Sequence, residues 1–461
     1  MEVIIRQFLF PQTQKYPSYR RVVSDTTLPF DTAEYRGRQS RFLEQVPKDQ
    51  LVLIPTNPVM IRSGDTTFPF RANSYMLYLC GWSESTGLWM SYHNGEKWVS
   101  CLFVQPRDTK KEIWEGRIIG VEKAASEWPV DEADSIENMS DSIKSRLSEC
   151  NGVHYISNLN SVVDEIVLDS GNQNTDPRPI LDKMRRIKSP KEIEFMLESA
   201  KIASSAHVEA MKVSHSGIGE WEIQSVIEGH FMNRKSQWSY PSIVGGGENG
   251  TILHYNTNKS IVNDGDLVLV DAGCEVHGYA SDVTRTWPVN GKFTDPQREI
   301  YELVLKAELA GIEACQNGST WVSIHTAASQ VLAAGLIELG ILDCSIEDAI
   351  GDPEKFDGPY RDFFMHGTGH FLGLDVHDVG GGRQGDDDKK GPVLEPGMVL
   401  TVEPGLYFGG WRTDVKIPER YSQIGIRIED DILITEEGPV VLTSDCPKTI
   451  EEIEALVGSG V

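Results

Sequence analysis

The sequence predicts an α/β protein of two domains, and three observations carry that expectation. The chain has 461 residues, too many for one ordinary core, so two domains of roughly 150–280 residues each are the default. Its first half mixes short strand-like runs with helical stretches. Near the middle, a segment rich in Gly, Asn, Asp and Pro (Asp169 to Pro179) has the composition of a linker, and a strong helix start follows it.

Taken in order, Ala33 to Gln45 reads as a helix, and Leu51 to Ile54 and Trp98 to Val104 read as strands. At Ser189-Pro190-Lys191-Glu192 a capping serine precedes proline at the first helical position and glutamate at the third. That is a capping box with a favoured proline. Ile193, Met196, Leu197 and Ala200 then recur at helical spacing. The boundary is placed just before this helix, giving domains 1–182 and 183–461. In the second domain Leu267 to Val270 reads as a strand ending on Asp271, and Ala280 to Trp287 alternates in strand fashion. Tyr301 to Ala314 and Ile324 to Leu339 read as helices, Met398 to Glu403 and Ile424 to Ile434 as strands.

Composition narrows the function classes. The chain is 39% hydrophobic and 24% charged, with 43 basic and 69 acidic residues and a net charge of −26. Such a surface repels phosphate backbones and anionic lipid, so nucleic acid and membrane are poor partners. No apolar run reaches the about 18 residues of a membrane span. Residues 1–10 carry Glu2 and Arg6 without a long apolar stretch, unlike a secretory leader. The seven cysteines are scattered, with no CxxC pair. A reducing, cytoplasmic location is therefore expected.

The chemistry concentrates in the second domain. Asp271 and Asp282 flank a Gly-containing turn at His277-Gly278. A hairpin centred between Val276 and His277 would set them directly opposite, about 4.5–5.5 Å apart on one face. Two like charges there call for a cation; without other evidence they are also simply surface aspartates near a turn. His366-Gly367-Thr368-Gly369-His370 spaces two histidines four apart. Its glycines disfavour a helix, so a turn offering one histidine as ligand is expected, while a structural histidine stays open. His377-Asp378 follows. Glu403 closes the run from Met398, and Glu429 shares a strand face with Arg427, which could pair with it in place of a metal. Four carboxylates and one imidazole form a hard, oxygen-rich set. It suits two divalent ions, with Mn²⁺ the best fit and Co²⁺, Zn²⁺ and Fe²⁺ also compatible.

These motifs, in this order and spacing, resemble the proline-specific metallopeptidases of the pita-bread fold. The residues that carry the resemblance are Asp271-Ala272-Gly273, Ser281 to Thr286, His366 to His370, Thr401 to Gly405 and Arg427 to Asp431. Arg186 to Glu192 resembles the family's entry into the catalytic domain. In the first domain, Ser63 to Asp65, Phe68 to Arg71, and Leu77 to Gly81 resemble Xaa-Pro aminopeptidases (aminopeptidase P). The resemblance runs from about Phe30 to the C-terminus.

It implies a mixed-sheet α/β domain followed by a pita-bread catalytic domain. It implies that Asp271, Asp282, His370, Glu403 and Glu429 ligate two metal ions, with Asp282 and Glu429 bridging. Glu403 would be the general base, with His254, His377 and Arg427 beside it in catalysis. His366, His254 and His377 would contact substrate. Asp65 matches a family aspartate at a domain contact and is expected to approach Arg427 and fix its head near the substrate. Trp114, in the polar stretch Glu112 to Arg117, is expected to reach a neighbouring subunit's active-site mouth in a homo-oligomer, a dimer or tetramer; packing inside its own domain is the alternative. The implied substrates are peptides with proline at position two. A prolidase restricted to Xaa-Pro dipeptides would use the same ligands. The short Glu403–Glu429 connection and the Leu77 to Gly81 and Glu112 to Gly116 stretches favour the aminopeptidase. A non-catalytic peptide-binding relative would lack ligand residues, and here all five positions are filled.

Overall fold

The computed structural model describes residues 28–380 and 391–460; the reading of residues 1–10 lies outside them. The first domain is built on a six-stranded mixed sheet. Its spatial order is Glu132–Ser135, Trp98–Val104, Gly87–His93, Gln50–Pro55, Gly152–Tyr155, Gln173–Thr175. Both faces are covered, which is why the inner strands read as nearly unbroken apolar runs. Side chains alternate across the central strand. Leu51 and Leu53 pack with Ile143, Leu147 and Val163 of the helices Met139–Leu147 and Ser161–Ser170. Val52 and Ile54 face the other way, into a core that continues into the second domain through Phe195, Met196, Tyr279 and Leu374. The two domains therefore share one apolar interface.

The helix expected at Ala33–Gln45 spans Thr32–Leu43, capped by the Asp31 carboxylate. The expected linker is partly structured. Within it Gln173–Thr175 pairs in parallel with Gly152–Tyr155 as an edge strand. Its polar composition hid it, because a short edge strand needs backbone pairing more than an apolar face. Helix Arg178–Arg186 runs through residue 182 and ends at the extended Ile187. We therefore propose the domain boundary at residues 187–189 rather than after residue 182. Helix Pro190–Val213 then starts as expected: the Glu192 carboxylate accepts from the Ser189 N–H (2.8 Å), and Ser189 Oγ accepts from the Glu192 N–H.

In the second domain, helices Pro190–Val213 and Glu220–Asn233 form one pair, and Asp295–Ala314 and Trp321–Glu338 another. Small antiparallel sheets lie between them: Ile243–Gly246 with Leu267–Asp271 and Thr284–Pro288, and Val399–Val402 with Asp430–Thr435 and Gly438–Val441. This is the expected pita-bread arrangement. Among the described residues no helix is long and apolar enough to cross a membrane.

Three strands expected to be continuous are broken. Ala280 to Trp287 is interrupted at residues 281–283, Ile424 to Ile434 divides into Gly425–Arg427 and Asp430–Thr435, and Met398 to Glu403 stops at Val402. Asp282, Glu429 and Glu403 sit at those breaks. Leaving one ladder frees a carboxylate to turn inward, and the backbone is satisfied elsewhere. The Glu429 N–H donates to Thr284 O (3.1 Å), the Glu403 N–H to Thr368 O (2.8 Å), and the Asp282 N–H to the Asp431 carboxylate.

The hairpin register is also one residue later than expected. Val276 faces Tyr279, and Asp271 faces Thr284. His277 and Gly278 occupy the turn centre with φ of 54° and 87°, as a type I′ turn demands. Centring on Val276 would force a β-branched residue to positive φ. Asp271 and Asp282 are therefore diagonal rather than directly opposite, still on one face. Gly273 stands where Asp282 crosses: a Cβ there would lie 1.8 Å from Ser281 O. Gly273→Ala is expected to cost at least about 1–3 kcal/mol and to spread the two aspartates. A lowered Tm together with reduced metal content would show it; an unchanged Tm would contradict the close approach.

Candidate metal centre and catalytic cleft

The strand breaks and one turn bring the acidic residues together at the floor of a cleft of about 510 Å³. Oxygen or nitrogen atoms of Asp282, His370 and Glu429 lie within 4.8 Å of one another. His370 Nε2 is 3.3 Å from Asp282 Oδ2 and 3.7 Å from Glu403 Oε1. Asp271 joins through a shared neighbour: Tyr240 OH donates to Asp271 Oδ1 (2.5 Å) and also touches Asp282 Oδ1. All five expected ligands thus line one cleft, with His254, His366, His377 and Arg427 around them.

The segment His366 to His370 is a turn rather than a helix. His370 points in, its backbone held by Thr401 Oγ1 (3.0 Å). His366 turns to Tyr407 OH (2.7 Å). Thr368 between them is pinned by His325 Nδ1 (2.7 Å) from helix Trp321–Glu338. Arg427 Nη2 binds Asp271 Oδ2 (2.6 Å), Nη1 binds Tyr407 OH (3.0 Å) and Nε binds Thr284 Oγ1 (3.1 Å).

The electrostatics are those of a cluster short of positive charge. Burial, then the Asp271 carboxylate, pushes Asp282 above the ordinary range. Burial, then Asp282 and Glu403, pushes Glu429 well above it. Burial raises Glu403 to about 7. Burial opposes a charge on His370, but its contact with Asp282 outweighs this and lifts it to about 9. Burial, then Arg427, lowers His366 to about 3. Buried carboxylates stacked against one another with one arginine and one imidazole as counter-charges are what divalent cations neutralise. The donors are oxygen and imidazole without thiolate, so the residues present fit such ions.

One expectation about the first domain changes, and another loses its alternative. Asp65 lies exposed between the short strands Ile61–Ser63 and Thr66–Thr67. It has no ion-pair partner among the described residues and does not approach Arg427 as a salt bridge. Arg427 is only 3% exposed and already neutralised by Asp271. Trp114 is 88% exposed on helix Thr109–Glu115, which buries none of its residues. Packing inside its own domain is thereby excluded, and neither residue lines this chain's own cleft.

Sequence reasoning missed Tyr240, Tyr407 and Asp431. Tyr240 carried no motif. Tyr407 stood two residues past the recognised run Thr401 to Gly405, and Asp431 closed the run Arg427 to Asp431 without being given a role; both were available signals. The Thr284 hydroxyl, inside a recognised motif, also proves to donate to Glu429 Oε2 (2.6 Å).

Known proteins place this geometry. The description "Metallopeptidase family M24" matches residues 194–436, and "Aminopeptidase P, N-terminal domain" matches residues 35–155. The Xaa-Pro aminopeptidase of Haemophilus influenzae is 40% identical over 428 residues, covering 92% of this chain and 97% of that protein. That of Escherichia coli is 38% identical over 440 residues, with the same coverage. Proline aminopeptidase P II from Yersinia pestis superposes with a TM-score of 0.87 at 37% identity, covering 93% of this chain and 99% of that one. Zn-substituted E. coli aminopeptidase P in complex with product likewise gives 0.87 at 37% identity, covering 94% and 99%. With both family descriptions matched in order and the candidate ligands gathered in one cleft, this chain belongs to the aminopeptidase P group of metallopeptidase family M24.

Proposed function

We propose that this chain is a metal-dependent Xaa-Pro aminopeptidase, releasing the first residue from peptides with proline at position two. The observation that carries this is the convergence of Asp271, Asp282, His370, Glu403 and Glu429 in one cleft flanked by three further histidines. Asp271, Asp282, His370, Glu403 and Glu429 would hold two divalent ions, Mn²⁺ by the hardness of the donors, which when bound would supply Lewis acidity and lower the pKa of water. Glu403, 3.7 Å from His370 and 3.6 Å from His366 at the floor of the cleft, is placed to accept a proton from an attacking water and return it to the leaving proline nitrogen. Burial, then His370 and His254 nearby, lowers the pKa of His377 below the ordinary imidazole value. It and His254 supply hydrogen bonds to the carbonyl oxygen as charge develops. His366, held at Tyr407, shapes the wall against the proline. The free amine of the substrate lies toward the carboxylates. Proline's imide has no N–H, so its selection comes from ring shape against Ile243, Leu253 and Val376, which also line the cleft.

The decisive experiment compares an Xaa-Pro-Yaa tripeptide with an Xaa-Pro dipeptide, with Mn²⁺ supplied. The tripeptide is expected to turn over faster, with the first residue as product. Cleavage of the dipeptide alone would make the enzyme a prolidase.

A homo-oligomer is part of the same reading. Trp114, Ile113 and the hairpin residues Met60, Ile61 and Phe68 are all exposed, and apolar surface of this kind is typical of protein contacts. The molar mass in solution is expected to exceed one chain, and Trp114→Ala to change the preference for peptide length. A fully active monomer, or an unaltered length profile in the mutant oligomer, would remove Trp114 from the cleft mouth. A cytoplasmic setting is supported by the seven free cysteines, as expected in a reducing compartment.

A further inference from the structure

His377 reaches the cleft on a loop, residues 372–379, without strand or helix. What holds that loop is largely ionic, and much of it comes from outside the catalytic domain. Asp378, the next residue, has a side chain 1% exposed. Its Oδ1 is 2.6 Å from Arg185 Nη2 and its Oδ2 is 3.0 Å from Lys188 Nζ, both residues of the connection between domains. Asp375, two residues before His377, binds Arg185 Nη2 through Oδ2 (2.7 Å) and accepts from Ser74 Oγ through Oδ1 (2.6 Å). Arg71 donates to the carbonyl oxygens of Leu374 and Gly278, to Glu275 Oε2 (3.1 Å) and to Ser74 Oγ (3.1 Å). Arg71 and Ser74 belong to the N-terminal domain. The loop is folded tightly against these groups: a Cβ on Gly373 would lie 2.2 Å from Asp378 Oδ2 and 2.9 Å from Lys188 Cε.

The buried Arg185 has little other work. Its Nε and Nη1 have no hydrogen-bond partner, and its guanidinium lies 4.8 Å from the Tyr75 ring centroid. The two loop aspartates and that ring are what compensate its charge. A network serving stability alone gains little from buried ions, since apolar packing does as well. These ions instead grip a loop on both sides of one histidine, whose ring centroid is 4.3 Å from that of His370.

We infer that Arg71, Ser74 and Arg185 are positioning residues for His377, so that the N-terminal domain governs turnover in the catalytic domain of its own chain. This rests on the reading of His377 as a substrate-contacting group. A displacement of about 1 Å at such a group lowers rate by about a hundredfold.

A double-mutant cycle tests it, using the full-length, Mn²⁺-loaded enzyme and an Xaa-Pro-Yaa tripeptide. Arg71→Ala is expected to lower kcat about 10–100-fold, with KM changed less than about threefold and metal content unaltered. In a His377→Ala background the same substitution is expected to change kcat by less than about twofold, because coupled residues are non-additive. Ser74→Ala removes one neutral hydrogen bond and gives the same cycle with a smaller effect should Arg71→Ala fold poorly. Equal effects of either substitution in both backgrounds, or a lowered Tm with kcat unchanged well below it, would overturn the inference. Wild-type turnover by His377→Ala would instead overturn the role of His377.

Discussion

Glu403→Ala is expected to lower kcat by at least about 10²–10⁴-fold, the range of a lost general base, and to weaken metal retention as well. The side chain sits where both losses meet. It lies 3.7 Å from His370 and 3.6 Å from His366, at the floor of the cleft. Its backbone N–H donates to Thr368 O, a bond that the substitution does not remove, so the turn and the fold are expected to survive. Glu403→Gln separates the two contributions: it keeps the size and one acceptor oxygen but cannot take up a proton at neutral pH. Chelation of the wild-type enzyme is expected to reproduce the loss, with recovery on Mn²⁺ addition. The check is steady-state kinetics alongside metal analysis. Undiminished turnover at a verified near-zero metal content would sink the assignment.

The second large effect is on stability. Arg285→Leu is expected to cost about 3–5 kcal/mol, the usual result of stripping one partner from a buried ion pair. Arg285 is completely buried. It binds Asp430 Oδ1 (2.7 Å) and the backbone oxygens of Glu429 (2.6 Å), Cys446 (2.8 Å), Pro447 (3.0 Å) and Thr284 (3.0 Å). It therefore ties the strand break that presents Glu429 to the C-terminal segment. At about 2–4 °C per kcal/mol, the melting temperature is expected to fall by roughly ten degrees, with reduced metal content because Glu429 loses its support. Arg36→Ala is the contrast. Its ion pair with Asp131 (3.3 Å) is partly exposed, and such pairs contribute below about 1 kcal/mol. Comparable losses in both variants would refute the argument from burial. Burial opposes ionisation of Asp430, but Arg285 and Lys448 hold its carboxyl well below the usual range. Its contribution is thus present above the unfolded carboxylate pKa of about 3.9 and is lost as pH falls below it.

Several features were legible in the linear chain because they are local. The Ser189–Glu192 capping box needs four consecutive residues, and the structure forms it. The helices near residues 33, 301 and 324 follow from periodicity over a few turns, though the second begins earlier, at Asp295, where proline follows its cap. The five expected ligands stood in short motifs whose order resembled a known family, and all five line one cleft. Their apolar flanks had already marked Asp271 and Glu403 as strand-end residues.

Other features depend on packing between distant segments. Whether Arg427 pairs with Asp65 or Asp271 could not be decided from spacing; the guanidinium and its actual partner are 156 residues apart in the chain. The Thr284–Glu429 hydrogen bond spans 145 residues, and Tyr240 meets the aspartates only once two sheets are assembled. The strand breaks at Asp282 and Glu429 were invisible because alternation continues across them, while the ladder changes partner. The hairpin register turned on which residue could tolerate positive φ. The sequence by itself determined the main helices, the short motifs that carry the candidate ligands, and the family. The tertiary structure alone decided which carboxylate meets which cation. Burial makes an unpaired charge costly, so partners are chosen by the completed fold rather than by neighbourhood in the chain.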